Sequence, residues 1–171
     1  MANKAETAER PLRLGLISLG CDKNLCDSER MLGELLSEGY VYESDMEACD
    51  ILIVNTCCFI GDAKEESVNT LIEAAELKKS GRLRKIIVTG CLAQRYKDEI
   101  LAELPEVDAV IGTNSIQDIG TALKQSLKEE RPLIMAPLSE IHFDRVYDMP
   151  RMVTGMGGYA YLKIAEGCNK R

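Results

Sequence analysis

Three cysteines of this chain stand in the same local setting. Cys21 follows the run LRLGLISLG (12–20), Cys57 follows DILIVNT (50–56) and Cys91 follows LRKIIVTG (83–90). Each run is apolar and rich in aliphatic, mostly branched residues, as in a strand buried on both faces. Each ends at once in a thiol. Thiolates are soft ligands that select iron–sulfur clusters, zinc or copper(I). A structural zinc site takes a closed tetrahedral set, usually from local pairs of ligands. These cysteines lie 36 and 34 residues apart, and the single histidine, His142, falls in another stretch. A cubane cluster on three thiolates suits them better and keeps one iron without a protein ligand, where an exogenous group can bind. The competing reading is that each is a small buried hydrophobe, as free cysteines often are. Recurrence at three equivalent strand ends weighs against it.

The chain has seven cysteines. The odd number and the α/β pattern argue against a disulfide framework and for metal binding or catalysis. Cys26 falls at the start of a helix and Cys49 just before a strand. Cys58 adjoins Cys57, and neighbours in an extended turn point apart, so only one of the two faces a shared site. Core or spectator roles are expected for Cys26, Cys49 and Cys58. Lys23, Asn24 and Asn55 flank the thiols and are placed to hydrogen-bond a bound group, although polar residues are common in such turns.

The elements that would position the thiols alternate along the chain. Strands are expected at 12–20, 50–56, 83–90 and 107–113, with shorter ones at 40–44 and 131–137. Helices are expected at 26–39, 62–81, 93–104 and 115–130. Alternation of this kind predicts an α/β fold with a doubly wound, mostly parallel open sheet of the Rossmann or flavodoxin type. In such sheets ligands bind outside the carboxyl ends of the strands, so Cys21, Cys57 and Cys91 all project to one edge. Residues 1–11 read as a disordered tail, 12–136 as one domain and 137–158 as a linker. Residues 159–171 read as the first strand of a second domain, cut short. A net charge of −7 leaves no basic footprint for nucleic acid on this stretch. The polar start MANKAETAERP is not a signal peptide, and no apolar run approaches membrane-spanning length. A cytoplasmic location is expected.

The stretches SLGCDKNLCDSE, VNTCCFIGDAKEES, VTGCLAQRY and YAYLKIAEGCN together resemble the methylthiotransferase family of radical S-adenosylmethionine (SAM) enzymes. They are most similar to the branch that modifies an aspartate on a protein of the small ribosomal subunit. The resemblance implies that residues up to about 135 form an N-terminal domain in which Cys21, Cys57 and Cys91 bind an auxiliary [4Fe-4S] cluster. Cys168 matches the first cysteine of the radical SAM core's C-x-x-x-C-x-x-C motif, so residues 159–171 open that core domain. Two [4Fe-4S] clusters and SAM are implied for the whole enzyme, with at most one cluster on this stretch, which is expected to be inactive alone. The core cluster would reduce SAM to an adenosyl radical that abstracts hydrogen, and a second SAM would supply the methyl group. The auxiliary cluster would hold the sulfur. The implied partners are SAM and the ribosomal protein, with no membrane and with nucleic acid met only through domains absent here. No catalytic residue is assigned. Cys58 stands where the family usually has glycine, and Cys26 where it has an aliphatic residue.

Three other readings compete. The tRNA adenosine branch of the same family tends to read glycine-cysteine-glutamine-methionine-asparagine at the first motif; GCDKN, FIGDAKEES and LKIAEGC side with the ribosomal-protein branch. A nucleotide- or flavin-binding α/β module without a cluster would want a G-x-G-x-x-G turn, and SLGCDKN has one glycine. The last is a partner-binding domain with incidental cysteines.

Overall fold

The computed structural model describes residues 10–137, 143–155 and 157–165. Among them lies one sheet of six parallel strands in the order β2-β1-β3-β4-β5-β6. The strands are β1 (Arg13–Ser18), β2 (Val41–Tyr42), β3 (Ile51–Thr56), β4 (Lys85–Gly90), β5 (Ala109–Ile111) and β6 (Leu133–Ile134). The helices are α1 (Asp22–Ser37), α2 (Gly61–Lys79), α3 (Cys91–Arg95), α4 (Lys97–Glu103), α5 (Ile119–Leu127) and α6 (Phe143–Asp148). This is the doubly wound α/β architecture that the alternation predicts. β3, reading ILIVNT, is buried at every position, as a central parallel strand covered on both faces must be.

Successive residues of a strand point to opposite faces, and the core divides accordingly. Leu14, Ile51, Ile53, Ile87, Ala109 and Ile111 meet Met31 and Leu35 of α1 and Ile119 and Leu123 of α5. On the other face Leu52, Val54, Ile86, Val88 and Val110 meet Leu71 of α2, Leu92 of α3 and Ile100 of α4. The expected single helix over 93–104 is two, α3 and α4, because Tyr96 leaves helical geometry at φ −123°, ψ 32°. Its ring lies in the second layer, 4.1 Å below the Lys64 ammonium. The turn lets Leu92 and Ile100 enter the same layer. The helix expected from 115 opens as a 3-10 segment, Thr113–Asp118, before α5.

The largest departure lies after residue 137. The segment expected to be a linker contains α6, and Val146 and Met149 enter the first apolar layer. Beyond it the chain runs as a strap over α1. The strand expected from residue 159 is not formed at 159–165, which carry no ladder pairing. They lie over a helix, and a helix offers no backbone edge to pair with. Side chains hold them instead. Lys163 forks both oxygens of Asp27 at 2.8 and 2.7 Å. Arg151 donates to Glu29 at 2.6 and 2.9 Å, and Thr154 donates its N–H to the same carboxylate at 2.7 Å. Arg30 donates to the carbonyls of Val146 and Met149 and covers the Tyr147 ring at 5.2 Å. Gly33 permits the approach, since a Cβ there would lie 2.4 Å from the Pro150 carbonyl oxygen. Of the expected N-terminal tail, residues 1–9 lie outside the described residues, and Arg10 forks Asp50 at 2.7 Å on each arm.

These contacts carry a pH dependence. The Arg10 guanidinium, helped by the Arg13 N–H and opposed by burial, holds the Asp50 carboxyl below its ordinary value. Burial alone would raise Glu29, but the Thr154 N–H, the Arg151 guanidinium and the Thr154 hydroxyl outweigh it and the net shift is downward. A depressed folded pKa stabilises the fold fully above the unfolded value of about 4 and loses that contribution as pH falls through the folded value. The strap is therefore expected to stay docked at pH 5 and above and to loosen below about pH 4. Hydrogen exchange of the 149–163 amides across an acid titration checks this, and Glu29→Gln should blunt the acid dependence.

Candidate functional site

The strand order reverses direction between β1 and β3, the switch point at which open α/β sheets build their sites. Ser18 pairs with Asn55, Asn55 with Thr89 and Thr56 with Gly90. Cys57 and Cys91 are thus the next residues out on neighbouring strands, which lie about 4.8 Å apart. The Leu19 N–H still bonds the Asn55 carbonyl at 2.9 Å, so β1 follows β3 up to its turn at Gly20. The structure therefore brings Cys21, Cys57 and Cys91 to the carboxyl edge of three adjacent strands. Cys168 and His142 lie outside the described residues.

A glycine sets each outer thiol. Gly20 has φ +90° and a Cβ on it would lie 2.5 Å from both Cβ and Sγ of Cys57. Gly90 has φ +93° and a Cβ on it would lie 2.2 Å from the Thr56 carbonyl oxygen. Only glycine combines that backbone with so close an approach. The chain then turns directly into a helix, with Cys21 as the N-cap residue of α1 and Cys91 as the first residue of α3.

The same contact separates Cys57 from Cys58. Cys57 is buried and packs against Gly20, the residue before Cys21, whereas Cys58 packs on the apolar layer that includes Leu71 and Leu92. Cys58 still reaches the group electrostatically. Burial pushes the Cys91 thiol up to about 11, and Cys58, Cys57, Cys21 and Asp27, in that order, add to the shift. Its burial thus favours the protonated Cys91 thiol until a cation replaces the proton. Cys21 is exposed and Cys91 half-buried, which leaves the edge open to solvent. Among the described residues no three of His, Cys, Asp and Glu surround a position for one metal ion. The other two cysteines stand apart. Cys49 precedes β3 at the opposite edge, fills the space over Gly15 and is pushed up to about 11, chiefly by burial. Cys26 faces the strap, with its Sγ 3.5 Å from the Tyr161 carbonyl oxygen and 3.6 Å from the Arg151 guanidinium.

A polar frame fixes the loops. Asn24 donates to the carbonyls of Leu19 and Thr56 at 2.8 and 3.1 Å, and Asn55 to the Asn24 carbonyl and Ser28 hydroxyl at 2.8 and 3.0 Å. Both amides thus brace the loops rather than face outward. Ser67 of α2 accepts from the Cys57 N–H and donates to the Cys57 carbonyl, each at 2.9 Å. Thr56 donates to the Thr89 carbonyl and accepts from the Ala93 N–H. Sequence reasoning missed Ser67, Ser28 and Thr56. Their roles come from packing, and the only local signal is a small hydroxyl residue inside an otherwise apolar or charged element.

Comparison with known proteins bears on this edge. A family model described as "Uncharacterized protein family UPF0004" matches residues 13–112, which contain all three strand-end cysteines. The protein named ribosomal protein uS12 methylthiotransferase RimO from Lachnoclostridium phytofermentans is 53% identical over 162 residues, covering 93% of this chain and 36% of the relative. Its namesake from Clostridioides difficile is 49% identical over 158 residues, covering 92% and 35%. The one from Bdellovibrio bacteriovorus is 42% identical over 168 residues, covering 98% and 36%. The chain spans about a third of the length of the curated relatives it matches.

Proposed function

Since the chain belongs to the family described as UPF0004, we propose that it is the auxiliary-cluster domain of a radical SAM methylthiotransferase that adds a methylthio group to an aspartate of ribosomal protein uS12 in the cytoplasm. The observation that carries this reading is the convergence of Cys21, Cys57 and Cys91 on the ends of β1, β3 and β4. The donor set fits an iron–sulfur cluster. Each thiolate would bind a different iron, so the ligands need not surround a single point as they would around one ion. Cys21, Cys57 and Cys91 would hold the cluster, which when bound would supply a site for the sulfur to be transferred.

The chain's own residues supply the rest. Gly20 lets the β1 turn close onto Cys57, and Gly90 lets the β4 turn close onto the Thr56 carbonyl. Ser67, Asn24 and Asn55 hold the turns after β1 and β3, and the Thr56 hydroxyl ties the turn after β4 to them, before any ligand arrives, which lowers the ordering cost of binding. Burial of Cys57 shields one side of the site, and exposure of Cys21 leaves an entry path. Cys168 would give the first thiolate of the second, SAM-binding cluster, completed by cysteines of the longer enzyme. No described helix is long and apolar enough to cross a membrane.

Anaerobic reconstitution with iron and sulfide tests the proposal. The expected result is a brown protein with roughly four irons per chain and no reductive cleavage of SAM by this chain alone. A colourless protein with less than about one iron would overturn the cluster assignment.

A further inference from the structure

Exposed apolar side chains that stand singly on a folded domain need no explanation. Four here stand together. Phe59 and Ile60 follow Cys58 directly and are 53% and 55% exposed, and Val68 and Ile72 of α2 are 37% and 46% exposed. Ile60 is the N-cap residue of α2, and its carbonyl accepts from the Lys64 N–H at 3.0 Å. Residues four apart are neighbours on a helix surface, so Ile60, Lys64, Val68 and Ile72 form one ridge. It starts beside the thiols and runs about 18 Å along α2. Lys64 lies within it, but its ammonium sits over the Tyr96 ring at 4.1 Å, and its stem continues the apolar surface. The adjoining row of α2 carries Glu65 and Glu73, and the row beyond it Asp62 and Glu66. None of these four carboxylates has a hydrogen bond or ion pair among the described residues. Ser67, Leu71, Ala74 and Ala75 bury the opposite side of the helix.

The substrate proposed above decides what would meet this surface. The aspartate that receives the methylthio group belongs to a polypeptide. While its side chain reaches the thiol edge, the residues on either side of it must lie across the rim of that edge, where Phe59 and Ile60 stand. A ribosomal protein rests against RNA phosphates and meets them with Lys and Arg. Carboxylates without partners attract such a segment, and the apolar ridge receives the side chains between its basic residues. A ridge of about 18 Å takes roughly five residues of extended chain. We infer that the ridge from Phe59 to Ile72, with the carboxylates beside it, is the docking surface for a basic stretch of the substrate protein next to the modified aspartate. The inference rests on the substrate reading given under the proposed function.

Titration calorimetry of purified uS12 into the chain tests it, with three paired variants beside the unmodified protein. Glu65→Lys with Glu73→Lys should weaken binding at least about tenfold, and Val68→Ser with Ile72→Ser at least about fivefold, with iron uptake unchanged. Glu129→Lys with Glu130→Lys makes the same change of net charge after α5, which packs on the other face of the sheet. That pair should weaken binding less than about twofold. The unmodified affinity should fall as salt rises. In the longer enzyme, Glu65→Lys with Glu73→Lys should raise the KM for uS12 and leave kcat within about twofold. Equal losses in the α2 and the Glu129–Glu130 pairs would overturn the inference, because net charge alone would then account for the attraction. So would the absence of uS12 binding by the unmodified chain, an unaltered KM in the longer enzyme, or self-association of the chain that Val68→Ser with Ile72→Ser abolishes. The last would make the ridge an interface between copies. If the chain takes up no iron, or the longer enzyme leaves uS12 unmodified, the proposed function itself fails, an outcome distinct from these.

Discussion

A Cys57→Ala variant, reconstituted anaerobically with iron and sulfide, is expected to come out colourless, with its iron falling from roughly four per chain to background. Cys21→Ala and Cys91→Ala should do the same. Three thiolates at the ends of adjacent strands leave no spare ligand on the β1 side of the edge, where Cys57 packs against Gly20. Cys49→Ala should keep the full complement, since its thiol sits before β3 at the other end of the sheet, beneath Gly15. Cys26→Ala should keep it too, because that thiol faces Tyr161 and Arg151 of the strap. Cys58 is the discriminating control. Its side chain packs on the α2 and α3 layer yet stands first among the thiols acting on Cys91. Cys58→Ala should retain iron. A full cluster in Cys57→Ala together with its loss in Cys58→Ala would exchange the two assignments. Iron analysis and the visible charge-transfer absorption across the six variants decide the matter.

The second large effect is expected far from the thiols in sequence. Asp27→Ala should cost about 3–5 kcal/mol, because it leaves the Lys163 ammonium buried with its main counter-charge gone. The Asp27 and Lys163 side chains are only 6% and 7% exposed. For a domain whose whole stability is about 5–15 kcal/mol, that loss lowers the melting temperature by on the order of 10 °C. Replacing both partners, as Asp27→Leu with Lys163→Met, should recover most of it, since a well-packed apolar pair avoids the desolvation of two charges. The Lys124–Glu38 bridge gives the scale, because the Lys124 side chain is 58% exposed and Lys124→Ala should cost less than about 1 kcal/mol. If Asp27→Ala proves as mild as Lys124→Ala, the strap is not held by its ion pairs. Thermal melts of the three variants, beside the unmodified chain, measure the difference.

The two predictions probe parts of the molecule that the sequence displays very differently. The sheet and its edge are legible because their signals are local. A strand covered on both faces has to be apolar throughout, so ILIVNT and KIIVTG stand out from a charged surround. The rule that parallel strands open their sites at carboxyl ends then places Cys21, Cys57 and Cys91 without any coordinates. The left-handed turns at Gly20 and Gly90 are likewise visible as glycine-cysteine pairs.

The strap was not legible in this way. Asp27, Glu29 and Arg30 are charged residues of α1, yet all three are buried. Their partners lie more than a hundred residues away, with Lys163 136 positions from Asp27. An ion pair between distant residues leaves no period in the sequence, and its two halves have the composition of ordinary surface. The alternation of YAYLKIAEGC suggests a strand, but alternation states only that one side of an extended segment is buried. Whether the burying surface is a sheet edge or a helix depends on what the rest of the chain places there, and here α1 supplies charged side chains rather than backbone groups. The choice between Cys57 and Cys58 belongs with the strap. Residue type is identical at the two positions, and only the pleat of β3, together with the missing Cβ at Gly20, turns one toward the β1 turn and the other onto the apolar layer. Sequence determined which residues could gather at the sheet edge. Tertiary structure decided which of them face one another and which charges are buried, because both depend on contacts between segments that carry no local trace of each other.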